Sequence, residues 1–148
     1  MDYKSDGTKN TNWVANSNAN VTNDDSTGET TVSATANATY RSTQLLSGDF
    51  EAILEAKTDN TEVRVGFTNL SKHRRVSFNQ SSYNYIKFRR VNGEWTIQRS
   101  ANGENWITYT SYDASSLSNE DCYFIINIAV PSGGQRSITY KNLKIYPI

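Results

Sequence analysis

The side chains that could carry catalysis are two glutamates, one histidine and one cysteine. Glu51 and Glu55 stand four positions apart in a stretch that alternates apolar and polar residues. On one face of a strand their carboxylates would lie roughly 13 Å apart, whereas a glycosidase needs a separation of about 5 to 9.5 Å. His73 has no second histidine or cysteine beside it to complete a zinc site or a nucleophilic triad. We therefore expect no enzymatic activity.

The one cysteine, Cys122, has no partner in the chain for a disulfide. It opens the apolar run Cys122-Tyr123-Phe124-Ile125-Ile126, which is typical of a buried strand. A free cysteine in such a place usually packs as a small apolar side chain and does not act as a reactive thiol. We expect Cys122 to be structural.

Two short charged stretches suggest ligands. Asp24 and Asp25 lie in a loop rich in Asn, Ser and Gly and are weak candidates for calcium, which needs 6–8 oxygen ligands. The loop lacks EF-hand spacing, and turns capped by aspartate are the alternative. Calcium is the only cofactor that the sequence leaves open. The basic run His73-Arg74-Arg75 could bind phosphate or an acidic glycan, or be a solvated loop cluster.

Composition limits the class of protein. Of 148 residues, 15 are Lys or Arg and 15 are Asp or Glu, so the net charge is zero and nucleic acid is an improbable partner. Aromatic residues reach 11%, which argues against disorder. No apolar run is long enough for insertion into a membrane. The polar residues 1–12 predict a flexible N-terminal segment without a signal peptide, and residues 13–148 a single β-sandwich domain.

The pair Asn92-Gly93 is the strongest hairpin signal. A two-residue turn there pairs Val91 with Glu94 and Phe88 with Ile97. One face then holds apolar and the other polar side chains, and a slip of one residue would exchange them. The predicted inward set is Ile86, Phe88, Trp95 and Ile97, and the outward set is Tyr85, Lys87, Arg89, Thr96 and Gln98.

The rest of the chain shows the same alternation and no helical periodicity. About ten or eleven short strands with turns between them predict an all-β protein, an antiparallel two-sheet jelly-roll β-sandwich. A change of parity after Tyr140 predicts a bulge at Lys141-Asn142. Strands are predicted around residues 19–22, 30–35, 50–57, 63–68, 76–78, 85–91, 94–98, 105–110, 124–130 and 138–145.

The outward set of the hairpin is the surface whose composition most resembles a ligand-binding site. Aromatic rings cover the apolar face of a sugar, and Arg, Lys, Asn and Gln bind its hydroxyl groups. A solvated sheet face with no ligand is the alternative. Depending on the strand order, five further side chains would join this surface, namely Arg64, Arg75, Tyr83, Tyr123 and Asn127.

Six segments in order carry a resemblance to a known fold. The order resembles the concanavalin A-like lectin/glucanase jelly roll of carbohydrate-binding modules and of viral tail and microbial surface proteins. The resemblance covers about residues 49–148 and implies a curved sheet that holds a sugar on its concave face or rim loops. The Glu-x-Asp-x-Glu strand of the glucanases is missing. The segments are Gly48-Asp49-Phe50-Glu51-Ala52, Val63-Arg64-Val65-Gly66-Phe67, Tyr85-Ile86-Lys87-Phe88, Asn92-Gly93-Glu94-Trp95, Ser100-Ala101-Asn102-Gly103-Glu104-Asn105-Trp106 and Tyr140-Lys141-Asn142-Leu143-Lys144-Ile145-Tyr146.

Together these features predict a non-catalytic recognition domain that binds a cell-surface polysaccharide. The expected setting is extracellular, in a larger surface adhesin or in the tail of a virion. Two alternatives stay open. One is a structural spacer or assembly domain that binds no sugar, and the other is a glycan-cleaving enzyme whose carboxylates come together only in the folded chain.

Overall fold

A computed structural model describes residues 13–59, 62–110 and 116–148. These residues form twelve strands and no helix, and so contain no helical segment able to cross a membrane. The predicted flexible segment 1–12 lies outside the described residues. The strands are β1 (Trp13–Ala15), β2 (Asn20–Asp24), β3 (Glu29–Ala34), β4 (Ala38–Ser42), β5 (Phe50–Lys57), β6 (Val63–Thr68), β7 (His73–Ser77), β8 (Asn84–Val91), β9 (Glu94–Ser100), β10 (Ile107–Thr108), β11 (Tyr123–Ile128) and β12 (Arg136–Pro147).

The strands build two antiparallel sheets. One has five strands in the order β1-β4-β11-β6-β7, and we call it the small sheet. The other, the large sheet, has seven strands in the order β10-β9-β8-β5-β12-β3-β2. Each sheet turns one apolar face toward the other, as a sandwich requires. The predicted all-β jelly-roll sandwich is confirmed.

The core is made by alternate residues of the inner faces. In β5 the inward Phe50, Ala52, Leu54 and Ala56 are all buried. Phe67 of the small sheet packs against the large sheet, with ring centroids 5.1 Å from Phe50 and 5.2 Å from Phe88. Because β-strand side chains alternate, each residue that points outward between these positions is left for solvent or a ligand.

The hairpin between β8 and β9 has the predicted register. Val91 pairs with Glu94 and Phe88 with Ile97. Asn92 and Gly93 both have positive φ, 51° and 79°, as a type I′ turn demands. The backbone N–H of Asn92 donates to Oδ1 of Asp49 at 2.8 Å, which ties the turn to the segment just before β5.

The bulge in β12 is also confirmed. The pairing of β12 with β5 shifts register between Lys141 and Lys144. Asn142 has a φ of 55°, and its backbone turn restores the inward direction to Leu143 and Ile145, which are buried. The bulge thus keeps both halves of β12 in the core and changes the shape of the outer face beside β5.

Some strand limits differ from the sequence prediction. The predicted strand over residues 105–110 is reduced to the two residues of β10, and the N–H of Asn105 donates to Oδ1 of Asn102 in the preceding turn. Phe78 is fully buried but lies just past the end of β7. β4 has no sequence prediction, although its Tyr40 stacks on Trp13 at 4.9 Å and belongs to the core.

The core also holds an arginine that the sequence pattern does not reveal. Arg90 is 0% exposed and stands on the inward face of β8. Its Nε and Nη2 donate to the carbonyl of Gly48 at 2.9 and 2.7 Å, and Nη1 donates to that of Glu120 at 2.6 Å. The guanidinium carbon lies 4.8 Å from the centre of the Phe50 ring. Backbone carbonyls and an aromatic face therefore replace water around the charge.

Replacing Arg90 by methionine should lower the free energy of unfolding by about 3 kcal/mol, since the carbonyls of Gly48 and Glu120 lose their donors in a dry place. Urea unfolding followed by tryptophan fluorescence measures the change. Arg89→Met is the matched control, because Arg89 is exposed and forms an ion pair with Glu51 at 3.6 Å. In this variant the free energy of unfolding should fall by less than about 1 kcal/mol. Equal losses in both variants would contradict the role given to Arg90.

Cys122 is fully buried, and burial raises the pKa of its thiol to about 11. Since the thiolate is the reactive form, the folded protein at pH 8 should resist a thiol reagent such as dithionitrobenzoate. One equivalent should react after unfolding in guanidinium. Rapid reaction of the folded chain would show that Cys122 is accessible, contrary to a structural role.

Candidate functional site

The predicted site residues divide between the two outer faces of the sandwich. Tyr85, Lys87 and Arg89 of β8 point outward from the large sheet, as do Thr96 and Gln98 of β9. Four of the further candidates stand instead on the outer face of the small sheet, because β6, β7 and β11 belong to that sheet and do not pair with β8. Their place was left to the strand order, and that order separates Arg64, Arg75, Tyr123 and Asn127 from the outward set of the hairpin.

Cross-strand pairing sets the neighbours of each outward side chain on the large sheet. Tyr85 stands between Glu55 of β5 and Ser100 of β9. In the next row, Lys87 stands between Ile53 and Gln98. The third row places Arg89 between Glu51 and Thr96, with an Arg89 Nη1 to Glu51 Oε2 distance of 3.6 Å. We call the outward residues of these three rows, together with Trp106, the Tyr85 surface.

Trp106 is the part of this surface that the sequence left undetermined. The ammonium nitrogen of Lys87 lies 4.0 Å from the centre of the Trp106 ring. The turn before Trp106 is held by side chains: Oγ of Ser100 accepts from the N–H of Gly103 at 2.8 Å, and Oδ1 of Asn102 accepts from that of Asn105 at 2.9 Å. The Ser-x-Asn-Gly pattern in the sequence indicates this turn, but only the order of the strands brings the indole of Trp106 to Lys87.

Gly103, in the same turn, also packs against the ring of Tyr85. Its φ is 79°, and a β-carbon at this position would lie 3.4 Å from Cε2 of the Tyr85 ring. The glycine backbone therefore packs closely against the ring, and Tyr85 as a whole is half-buried. A tyrosine fixed in this way presents its remaining surface at little cost in side-chain entropy.

The bulge in β12 opens a shallow depression next to Tyr85. Its volume is about 260 Å³. Nδ2 of Asn142, which sits in the bulge, donates to Oε2 of Glu55 at 2.5 Å, so the carboxylate on the rim is oriented. The depression thus offers one aromatic ring and several polar groups in a small space; it is lined by Ile53, Leu54, Glu55, Tyr85, Asn142 and Lys144.

Tyr83, another predicted candidate, lies on the same face of the large sheet but in a separate cluster. Its hydroxyl donates a hydrogen bond to Oε2 of Glu29. The ammonium groups of Lys57 and Lys141 lie 4.8 and 4.4 Å from the centre of its ring. The Tyr83 hydroxyl is the main reason why the pKa of Glu29 falls below its ordinary value.

The aspartates proposed for calcium take part in a turn. Oδ1 of Asp24 accepts from the N–H of Ser26 at 3.0 Å and from its hydroxyl at 2.6 Å, and these bonds lower the pKa of Asp24. Asp25 is exposed. The described part of the chain contains no group of three His, Cys, Asp or Glu side chains that could hold a metal ion. His73 hydrogen-bonds Thr68 through Nδ1 at 2.8 Å.

Three carboxyls in the described part of the chain have pKa values below their ordinary range. They are Asp24, Glu29 and Glu120, held by hydrogen bonds and, for Glu120, by Lys72. A glycosidase needs one carboxyl whose pKa is raised so that it can donate a proton near neutral pH. None of these three groups has that property.

The small sheet has its own, larger depression. Its volume is about 460 Å³, and Arg64, Arg75 and Asn127 lie in its wall. Nη1 of Arg75 donates to Oδ1 of Asn127 at 2.9 Å. Tyr123 lies farther along β11, under the guanidinium of Arg41 at 4.5 Å.

No protein-family model matches the chain, and no curated protein matches it in sequence. Solved structures match in fold. The carbohydrate-binding module CBM66 from Bacillus subtilis aligns with a TM-score of 0.61 and 9% identity over 93% of this chain and 96% of that one. Peanut lectin, solved with a nine-residue peptide, gives 0.60 and 7% over 100% and 98%. A protein from Parabacteroides distasonis proposed to be a glycosyl hydrolase gives 0.59 and 10% over 92% and 99%.

These likenesses confirm the concanavalin A-like jelly-roll fold that the ordered segments of the sequence resemble. At such low identities they establish the fold alone. Binding and catalysis have to be argued from the side chains of this chain.

Replacing Tyr83 by phenylalanine should raise the pKa of Glu29 toward its ordinary value of 4.5, as measured by NMR titration of the side-chain carboxyl. Because the pKa of Glu29 is lower in the folded than in the unfolded chain, its ionised carboxylate stabilises the fold above pH 4.5. This stabilisation is lost as the pH falls through the pKa of the folded state. The variant should therefore lose less stability on acidification than the wild type. Tyr85→Phe, the next outward tyrosine of the hairpin, should leave the titration of Glu29 unchanged. An unaltered Glu29 pKa in Tyr83→Phe would contradict the assignment.

Proposed function

We propose that the Tyr85 surface binds carbohydrate and that the domain is a non-catalytic recognition module. The observation that carries the proposal is the grouping of Tyr85, Lys87 and Trp106 on one sheet face, beside the depression formed by the bulge. A spacer domain would have no need for half-exposed aromatic rings held in place next to oriented polar groups. The same fold occurs in a carbohydrate-binding module and a lectin, which supports this reading.

The chemistry of the surface suits a sugar ring. The Tyr85 ring can cover the C–H face of a pyranose. Glu55, Asn142 and Lys144 can form hydrogen bonds with the hydroxyl groups of the sugar. The depression is shallow and open, so it fits a sugar within a chain that lies across the sheet. A site of this size binds weakly by itself, and several copies on one assembly would raise the avidity.

The setting we infer is extracellular, in a larger surface adhesin or viral tail protein that displays the domain to a cell-surface polysaccharide. A chain rich in Ser, Thr and Asn, with zero net charge and one cysteine, suits that setting. Glu51 and Glu55 stand four residues apart on the outer face of β5, roughly 13 Å by strand rise, which is too far for a glycosidase pair and supports recognition without hydrolysis.

Tyr85→Ala should weaken binding to the best ligand on a glycan array by at least about tenfold, because the loss of a stacked ring costs about 1.5 kcal/mol or more. Trp106→Ala and Arg89→Ala test the edges of the same surface. Tyr123→Ala is the matched control, since Tyr123 is also a half-exposed outward tyrosine beside a cation, but on the small sheet.

Three results would count against the proposal. Binding of no glycan by the wild type would favour a spacer or assembly domain. Equal losses in Tyr85→Ala and Tyr123→Ala would place the site elsewhere or indicate general unfolding, which circular dichroism distinguishes. Release of new reducing ends from the bound polysaccharide would make the protein a glycan-cleaving enzyme.

A further inference from the structure

Another depression lies on the outer face of the large sheet, toward the edge strand β2. Its volume is about 320 Å³. One row of residues that pair across the strands forms its floor, namely Thr22 of β2, Thr31 of β3, Thr139 of β12 and Lys57 of β5. The hydroxyl groups of Thr31 and Thr139 are hydrogen-bonded at 2.9 Å. We call this hollow the threonine depression, because hydroxyl groups are the main groups that it offers to a ligand.

The ring of Tyr83 joins this depression to the Tyr85 surface. In the row that crosses the sheet from Tyr85, the next residues are Glu55 of β5 and Lys141 of β12. The ammonium nitrogen of Lys141 lies 4.4 Å from the centre of the Tyr83 ring. That of Lys57, in the threonine row, lies 4.8 Å from the same point. The ring therefore contacts both rows, and the two depressions adjoin at it.

Tyr83 is held in position from several sides. Its backbone belongs to the segment just before β8, whereas its hydroxyl donates to Oε2 of Glu29 on β3. The side chain thus reaches across β5 and β12, the two strands that lie between β8 and β3. Tyr83 is half-buried, so part of its ring stays open. A ring fixed in this way loses little side-chain entropy when a sugar stacks on it.

Carboxylates and ammonium groups are mixed along this path. Glu55 pairs across the strands with Lys141. The pKa of Glu29 is lowered first by the hydroxyl of Tyr83 and also by the charges of Lys57 and Lys141. Since the two signs of charge lie side by side, the path has no field of one sign that would select a charged ligand. Hydroxyl groups of a neutral sugar can bond with either kind of group.

The length of the path indicates a chain and not a single sugar. From β8 through β5, β12 and β3 to β2 there are four inter-strand spacings, about 19 Å in all. A pyranose unit in a chain is about as long as one such spacing, so a monosaccharide reaches only one of the two depressions. A chain that lies across the strands meets the rings of Tyr85 and Tyr83 in turn and then the threonine row.

We propose that the Tyr83 ring and the threonine depression extend the Tyr85 surface, and that the ligand is a linear neutral polysaccharide whose chain lies across the strands. This inference rests on the proposed function of the Tyr85 surface. The Tyr83 ring covers one sugar unit, and the hydroxyls of Thr22, Thr31 and Thr139 bond with a following unit. Affinity then grows with chain length, because each added unit makes contacts without a second loss of rigid-body freedom.

Isothermal titration calorimetry with β-1,4-linked gluco-, manno- and galacto-oligosaccharides tests the proposal, each as the disaccharide and the hexasaccharide. In at least one series the wild type should bind the hexasaccharide at least about tenfold more tightly than the disaccharide. Hexagalacturonate, an acidic probe, should bind no more tightly than that neutral hexasaccharide.

Three variants locate the extension. Tyr83→Ala should bring the ratio of hexasaccharide to disaccharide affinity close to one, while Tyr83→Phe keeps the ring and should keep most of the ratio. Thr31→Val removes one hydroxyl of the floor at nearly constant volume and should lower the ratio severalfold. Thr39→Val is its matched control and should bind like the wild type, because Thr39 is also a half-buried outward threonine but lies on β4 of the small sheet. Tyr85→Ala should weaken the binding of both lengths.

NMR on the wild type gives a readout that does not depend on the folding of variants. The hexasaccharide should shift the backbone amides of Thr22, Thr31 and Thr139, and the disaccharide should leave them in place. Equal affinity for the two lengths, an unchanged ratio in Tyr83→Ala, or tighter binding of hexagalacturonate would overturn this inference and leave the Tyr85 surface as a site for a short ligand. Binding of none of the oligosaccharides would overturn the proposed function as well.

Discussion

The two sheets close around a charged side chain that water cannot reach, and the rest of the structure depends on how that charge is compensated. Arg90 stands on the inner face of β8, and its donors bind the carbonyls of Gly48 and Glu120, which belong to loops at the end of the sandwich. The same side chain lies over Phe50, so it joins the loops to the aromatic core. Without such carbonyl acceptors a buried guanidinium would be too costly to keep. The loops are therefore fixed by the same contact that allows the charge to be buried.

A rigid sandwich of this kind leaves function to its two outer faces. On the large sheet, the β12 bulge and the turn before Trp106 make an otherwise flat surface uneven. Both act through backbone geometry: Asn142 has a positive φ, and the side chains of Ser100 and Asn102 accept hydrogen bonds from backbone N–H groups of the turn. On the small sheet, Gly66 and the Arg75–Asn127 bond shape a second, polar depression.

The proposed role is recognition of a carbohydrate without its modification. The shifted carboxyl groups are bound to donors and have lowered pKa values, so they serve as acceptors and ion-pair partners. The Trp106 ring lies under Lys87 and the Tyr83 ring under Lys57 and Lys141, and such contacts hold a ring in place while leaving part of its area open. Affinity on such open faces grows through repeated display and not through one deep pocket.

Local pattern determined much of this protein. Alternation fixed the inward and outward sets of the β8–β9 hairpin, Asn92-Gly93 fixed its turn, and the parity change after Tyr140 located the bulge, because each signal acts over a few neighbouring residues. Only the tertiary structure decided which outward sets share a face. Arg64, Tyr123 and Asn127 alternate just as Tyr85 does, but the order of strands places them on the other sheet. The buried Arg90 escaped prediction for the same reason, since the carbonyls that compensate its charge come from loops 42 and 30 residues away in the chain.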